Sequence, residues 1–191
     1  SIHKKEDQWE VKLSNGCIYF SKHLILTPPS HATADLLQPI NSELSAALKT
    51  ISYAPMGILH LGIPHGKHPI PSELGFLVPN YVKRSLLGAL YISKIFKDRS
   101  PKNHDLIAVF HRHQGDAESV YQMVKDDLDQ IPFLKKDVTI LDNTWWDKAI
   151  PQFNLGSKAN LQRIKQLTQG VEGLELAGNY LGKVGLADVF E

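Results

Sequence analysis

Apolar and polar residues alternate through Trp9-Glu10-Val11-Lys12-Leu13, the period-two pattern of a half-buried strand. Ser14-Asn15-Gly16 follows as a tight turn, since Asn-Gly tolerates the positive φ of a two-residue hairpin, and Cys17–Phe20 is the return strand. His23–Leu26 reads as a short buried strand closed by Thr27-Pro28-Pro29. Ser30 is placed to cap a helix over His31–Leu37, and Asn41-Ser42-Glu43 starts a second helix running to about Ile51. Pro55 and Gly57 break the pattern, after which Ile58–Ile63 resembles a strand buried on both faces. Pro64–Ser72 is a loop rich in Pro, Gly and His. Strands are expected at Gly75–Pro79, Ser85–Ile92, Leu106–His111 and Val138–Leu141. Val120, Met123, Val124, Leu128 and Ile131 fall at helical spacing in and just after Glu118–Gln130, as do Leu161, Ile164 and Leu167 within Ser157–Gln169. Leu174–Ala177 is a final short strand, and Val184–Phe190 opens a helix. The mixture is strand-rich in the middle and helical at both flanks, which argues for an α+β fold. The early hairpin and the late strand are expected to share one layer, with the segment between them forming an inserted sheet.

Composition narrows the possible partners more than it defines a function. The 191 residues suffice for one large or two small domains. Hydrophobic residues make up 42% and charged residues 21%, an ordinary globular balance. Lys and Arg number 21 against 20 acidic residues, so no charge excess argues for nucleic acid. Cys17 is the single cysteine, which rules out an intrachain disulfide and suits a reducing compartment. No apolar run approaches the ~18 residues that span a bilayer. The opening Ser1-Ile2-His3-Lys4-Lys5 has no initiator Met and suits a cut piece of a longer chain.

Local chemistry offers few candidates. Gly178 and Gly185 lie where a strand turns into a helix start, an edge where free N–H groups can face an anion or cofactor; by local chemistry alone a plain turn is the better account. Trp145 and Trp146 point to opposite sides if extended, one into a core and the other able to offer a flat face to an aromatic ring. His111-Arg112-His113 is an H-x-H pattern that metals sometimes use; without Cys or carboxylate partners nearby it reads as a basic cluster, and no metal site is assigned. Asp126-Asp127-x-Asp129 lacks the Gly and terminal Glu of a calcium loop and reads as a solvated helix face. No G-x-G-x-x-G, Walker loop, G-x-S-x-G, H-E-x-x-H or C-x-x-C occurs, and no catalytic acid or base stands out.

In chain order, five segments resemble motifs of the oxygen-dependent protoporphyrinogen or coproporphyrinogen oxidases of the flavin amine-oxidase superfamily. They are His23-Leu-Ile-Leu-Thr-Pro-Pro-Ser30, Leu74-Gly-Phe-Leu-Val-Pro79, Leu87-Gly-Ala-Leu-Tyr91 with Ile95-Phe96-x-x-Arg99-Ser100-Pro101, Trp146-x-x-Ala149-Ile150-Pro151-Gln152-Phe153, and Ala177-Gly178-Asn179-Tyr180-x-x-x-Val184-Gly185-Leu186. The resemblance implies a mixed sheet with helices forming part of a substrate-binding domain over 28–149. Pieces of an FAD-binding domain would occupy 1–27 and 150–191. It implies FAD contacts at Val184, Gly185 and Leu186, an aromatic near the flavin at Trp146, and an apolar slot for a tetrapyrrole at Leu77, Leu90 and Phe110. The partners implied are a porphyrinogen and oxygen, in haem biosynthesis, with the FAD-binding half that carries the glycine fingerprint absent from these residues. Alone, the chain would then be inactive and hold no stable FAD. Departures are the bulky His111-Arg112-His113 after Phe110 and Ile92-Ser93-Lys94 after Tyr91. The resemblance leaves open peripheral membrane association and a homodimer, at a cytoplasmic location or the face of the cytoplasmic membrane. It competes with another flavin-dependent oxidoreductase of the superfamily and with a non-catalytic tetrapyrrole-binding module.

Overall fold

The computed structural model describes residues 1–64, 70–131, 134 and 138–182. The chain separates into two compact units, Ser1–Tyr53 with Pro151–Glu191, and Ala54–Ile150. Mixed sheets and helices make the α+β class expected from the pattern. The helices that follow residue 27 group with the terminal segments, so the first unit extends to Tyr53 and not only to residue 27.

In the terminal unit, β1 (Ile2–Lys5), β2 (Gln8–Lys12) and β3 (Ile18–Ser21) form an antiparallel meander. β1 precedes the first strand expected from the pattern and is fixed by pairing Ile2 with Val11 and Lys4 with Trp9. The β2–β3 turn is one residue longer than the two-residue form. Leu13 N–H donates to the Cys17 carbonyl and Gly16 N–H to the Leu13 carbonyl. Gly16 alone takes positive φ, at 87°, while the Asn15 side chain accepts from Cys17 N–H. β4 (Leu24–Leu26) pairs in parallel with β10 (Leu174–Leu176), Leu24 opposite Leu174. The late strand therefore joins β4 and not the opening hairpin, which forms a sheet of its own.

α1 (Ser30–Leu37) starts at its expected cap, one residue earlier than expected. Pro29 takes the cap position, and Ser30 is buried, trading hydrogen bonds with the Tyr53 hydroxyl. α2 (Ser42–Lys49) is capped as its sequence suggests, Asn41 Oδ1 accepting from Leu44 N–H at 2.9 Å. Trp9, Leu37, Leu44 and Leu48 form the core with Ile164 of α5 (Ser157–Gln169) and Tyr180. Each such side chain contributes about 1.5–3 kcal/mol by leaving water.

In the middle unit, β5 (Tyr53–Pro64), β6 (Gly75–Leu77), β7 (Leu86–Tyr91), β8 (His104–His111) and β9 (Thr139–Pro151) form one sheet in the order β6-β7-β8-β5-β9. A single helical turn, α3 (Ile92–Ile95), follows β7. α4 (Ala117–Leu128) covers one face, its Val120, Val124 and Leu128 packing on Leu59, Leu61, Ile107 and Val109. β5 is not buried on both faces as its apolar run suggests. Leu59, Leu61 and Ile63 are buried, while Ile58 and His60 are half-buried on the other side. Pro55 lies ahead of the stretch that pairs with β8, where the missing N–H is tolerated, so it does not end the strand. β9 likewise runs beyond the expected Leu141 and carries both tryptophans to Pro151.

Candidate functional site

Residues paired directly across antiparallel strands share a face of the sheet. Leu77 pairs with Gly88, Gly88 with Phe110, and Phe110 with Ile58. The neighbouring row runs Gly75, Leu90, Ala108, His60. Leu77, Leu90 and Phe110, from three strands, thus lie together on the face away from the core that α4 covers. Leu77 is 79% exposed, so its side chain is free to meet a ligand. Gly75, Gly88, Ala108 and Gly62 keep the floor low between the larger side chains. At Gly88 the small residue is obligatory: φ is +155°, and a Cβ there would stand 2.5 Å from the Phe76 carbonyl oxygen. The result is a shallow, mainly apolar surface suited to a flat ring.

One polar pair stands on this face. His60 Nδ1 lies 2.9 Å from Asp142 Oδ1, joining β5 to β9 across 82 residues of sequence. Sequence reasoning missed it. The available signal was a histidine at the half-buried alternate positions of an otherwise apolar strand.

The opposite face explains the H-x-H pattern. His111 ends β8 fully buried, and both ring nitrogens are occupied. Nε2 meets Asn143 Oδ1 at 2.7 Å, and Nδ1 accepts from His113 N–H at 3.2 Å. Asn143 in turn donates to the Gly115 carbonyl. Burial lowers the His111 pKa, outweighing the Asn143 contact, so the ring is held neutral. The His111 and His113 rings stack at 6.5 Å, and Trp145 packs 6.4 Å from His111. With both nitrogens spent, His111 has none to offer a metal, and the described residues hold no group of three or more metal-ligating side chains.

Asp127 departs from the solvated helix face expected of its acidic run. Its carboxylate accepts from Ser85 N–H at 2.9 Å, Leu86 N–H at 3.1 Å and Arg84 at 2.9 Å. It ties α4 to the start of β7.

Of the four expected cofactor contacts, Val184, Gly185 and Leu186 lie outside the described residues. Trp146 sits on β9, 43% exposed, while Trp145 turns toward His111. Gly178 has a cause within the protein. A Cβ there would meet the Tyr180 ring at 2.5 Å, so the glycine makes room for a buried tyrosine. Beside this turn, a cavity of about 710 Å³ runs along α5 and β10, lined by Phe153, Leu161, Ile164, Leu174, Leu176 and Leu181 among others.

The family described as flavin containing amine oxidoreductase matches residues 1–187. The chain belongs to that family. Among flavin containing amine oxidoreductases, it is similar to the chloroplastic protoporphyrinogen oxidase of Nicotiana tabacum, 28% identical over 189 residues, with 90% of this chain and 34% of the relative covered. Protoporphyrinogen oxidase 1 of Arabidopsis thaliana, also chloroplastic, is 27% identical over 194 residues, covering 90% and 35%. The chain thus spans about a third of the length of the curated relatives it matches. Solved structures agree in fold. One from Exiguobacterium sp. 255-15, assigned as a protoporphyrinogen oxidase by name, superposes with TM-score 0.73 at 19% identity, over 98% of this chain and 42% of that one. A reduced UDP-galactopyranose mutase superposes with TM-score 0.69 at 14% identity, covering 90% and 38%.

Proposed function

We propose that this chain supplies the tetrapyrrole-binding face of a flavin-dependent porphyrinogen oxidase. The reaction is oxidation of protoporphyrinogen IX to protoporphyrin IX with oxygen as acceptor, in haem biosynthesis. The observation that carries the reading is the sheet face on which Leu77, Leu90 and Phe110 meet. Two curated relatives named protoporphyrinogen oxidase support it. When bound, FAD supplies the redox chemistry in such an enzyme. The part played by these residues is to bind and orient the substrate. Leu77 and Phe110 flank the floor left by Gly88, and a macrocycle lying there exchanges water for apolar contact.

On this reading the chain alone is inactive, because its sequence has no glycine-rich dinucleotide fingerprint. Purified alone, it is expected to carry no stoichiometric FAD; a yellow one-to-one complex with a flavin spectrum refutes this. Titration with protoporphyrin IX tests the face. Phe110→Ala is expected to weaken binding about tenfold, by removing most of one aromatic contact. Unchanged affinity in that variant rules out the face as the tetrapyrrole site.

A further inference from the structure

The apolar rows explain where a macrocycle would lie, but they contain one polar pair that an apolar slot does not need. His60 sits in the row with Ala108 and Leu90, and Asp142 of the neighbouring β9 meets its ring. We propose that His60, oriented by Asp142, is the polar anchor of this face and accepts hydrogen bonds from the ring N–H groups of a porphyrinogen. The proposal rests on the reading of the face as a tetrapyrrole site.

The geometry assigns the roles. An ionised carboxylate can only accept, so the Nδ1 that faces Asp142 at 2.9 Å carries the proton. In the neutral tautomer this leaves the lone pair at Nε2, which has no hydrogen-bond partner among the described residues. The imidazole is about one-third exposed at 32%, within reach of a ligand yet fixed from below. Ala108 faces it across the pair, and along β5 its same-face neighbours are Gly62 on one side and Ile58 on the other. The imidazole shares its face with Phe110 and Leu90, and Ala108 leaves room between His60 and Leu90 for the pyrrole rings.

Ligand chemistry makes this anchor selective. A porphyrinogen has four pyrrole N–H groups joined by saturated carbons, so its rings tilt and their N–H bonds can converge on one acceptor below the macrocycle. An oxidised porphyrin is flat and keeps two inner N–H groups, both in the ring plane and pointing at the centre. An acceptor beneath the ring therefore favours the reduced macrocycle and lets the oxidised one go. His60 is a positioning and specificity residue on this account.

The experiment is an anaerobic titration of the full chain, followed by tryptophan fluorescence, with protoporphyrinogen IX and separately with protoporphyrin IX. His60→Phe keeps an aromatic body and removes the acceptor. It is expected to weaken porphyrinogen binding about tenfold and porphyrin binding by less than about twofold. His60→Gln, which retains an acceptor, is expected to recover part of the loss. Asp142→Asn is expected to fall between wild type and His60→Phe, because the ring loses its fixed tautomer. Equal losses for the two ligands in His60→Phe, or no loss for either, overturns the proposal. If the wild type binds both ligands, Phe110→Ala loses both and His60→Phe loses neither, the face reading stands and only the anchor fails. If the wild type binds neither, the face reading fails and the anchor falls with it.

Discussion

Gly57 faces His111 across the β5–β8 pair, and replacing it with alanine tests how tightly the buried histidine is held. The backbone of Gly57 does not take positive φ, so alanine meets no conformational strain of its own. The obstacle is the imidazole. An added Cβ would stand 2.1 Å from its Cε1, 2.4 Å from Nε2 and 2.9 Å from Nδ1. The ring cannot yield without giving up the Asn143 contact at Nε2 and the His113 N–H at Nδ1. Each buried polar group stranded in this way costs about 1–3 kcal/mol. Alanine in a strand recovers about 0.5–1 kcal/mol relative to glycine. The net expectation for Gly57→Ala is a loss of about 2–4 kcal/mol, read as a lower urea midpoint at unchanged m-value. The decisive control is a double-mutant cycle with His111→Ala. Without the ring, alanine at 57 should be neutral or stabilise by up to about 1 kcal/mol. A loss below about 0.5 kcal/mol in the wild-type background, or the same loss in both backgrounds, would show that the ring is not locked as described.

The same histidine sets an acid limit. Its pKa is lowered by burial, so the unfolded chain binds the proton more readily. The stability from keeping it neutral is full above its usual pKa of about 6.5 and declines as pH falls below that value toward the lowered folded one. Urea midpoints measured from neutral to mildly acidic pH should show this decline, and His111→Gln should flatten it. Tyr180 sets an alkaline limit. Burial pushes its phenol up to about 12, and the nearby Thr33 hydroxyl is already spent on the Pro28 carbonyl. Stability from the neutral phenol is full below the unfolded value of about 10 and is lost as pH rises through about 12. Phenolate absorbance should show a late transition that Tyr180→Phe removes; its persistence in that variant would place the late phenol elsewhere.

The parts of the fold legible in the sequence were those decided by neighbours along the chain. α5 is legible from Leu161, Ile164 and Leu167 at one-turn spacing, with Gly170 closing the run. Asn41 caps α2 because its side chain needs only the backbone three residues on. What remained hidden is decided across the chain. β1 exists because Ile2 finds Val11. β9 runs to Pro151, through a stretch whose polar Asp142, Asn143 and Asp147 obscure its alternation. Asp127 looks solvated in sequence because its acceptors' work is to bind N–H groups about 40 residues earlier. Within the candidate site, motif resemblance marks Leu77, Leu90 and Phe110, but only strand register puts them on one face. His60 and Asp142 belong to no local pattern. Gly178, a glycine in a cofactor-like setting, has a packing requirement the sequence does not show, the ring two residues away.

The backbone crosses between the two compact units at Tyr53–Ala54 and Ile150–Pro151. Just inside the terminal unit, Gln152 N–H donates to the Ser52 carbonyl at 2.9 Å. The outgoing and returning strands are thus adjacent, like the two ends of a plug-in cassette. A tight turn joining the two ends could replace residues 54–150 without stretching the terminal unit's chain. The geometry makes the middle sheet exchangeable as a block: residues 54–150 can be rewritten between two fixed splice points while the terminal unit keeps its own core.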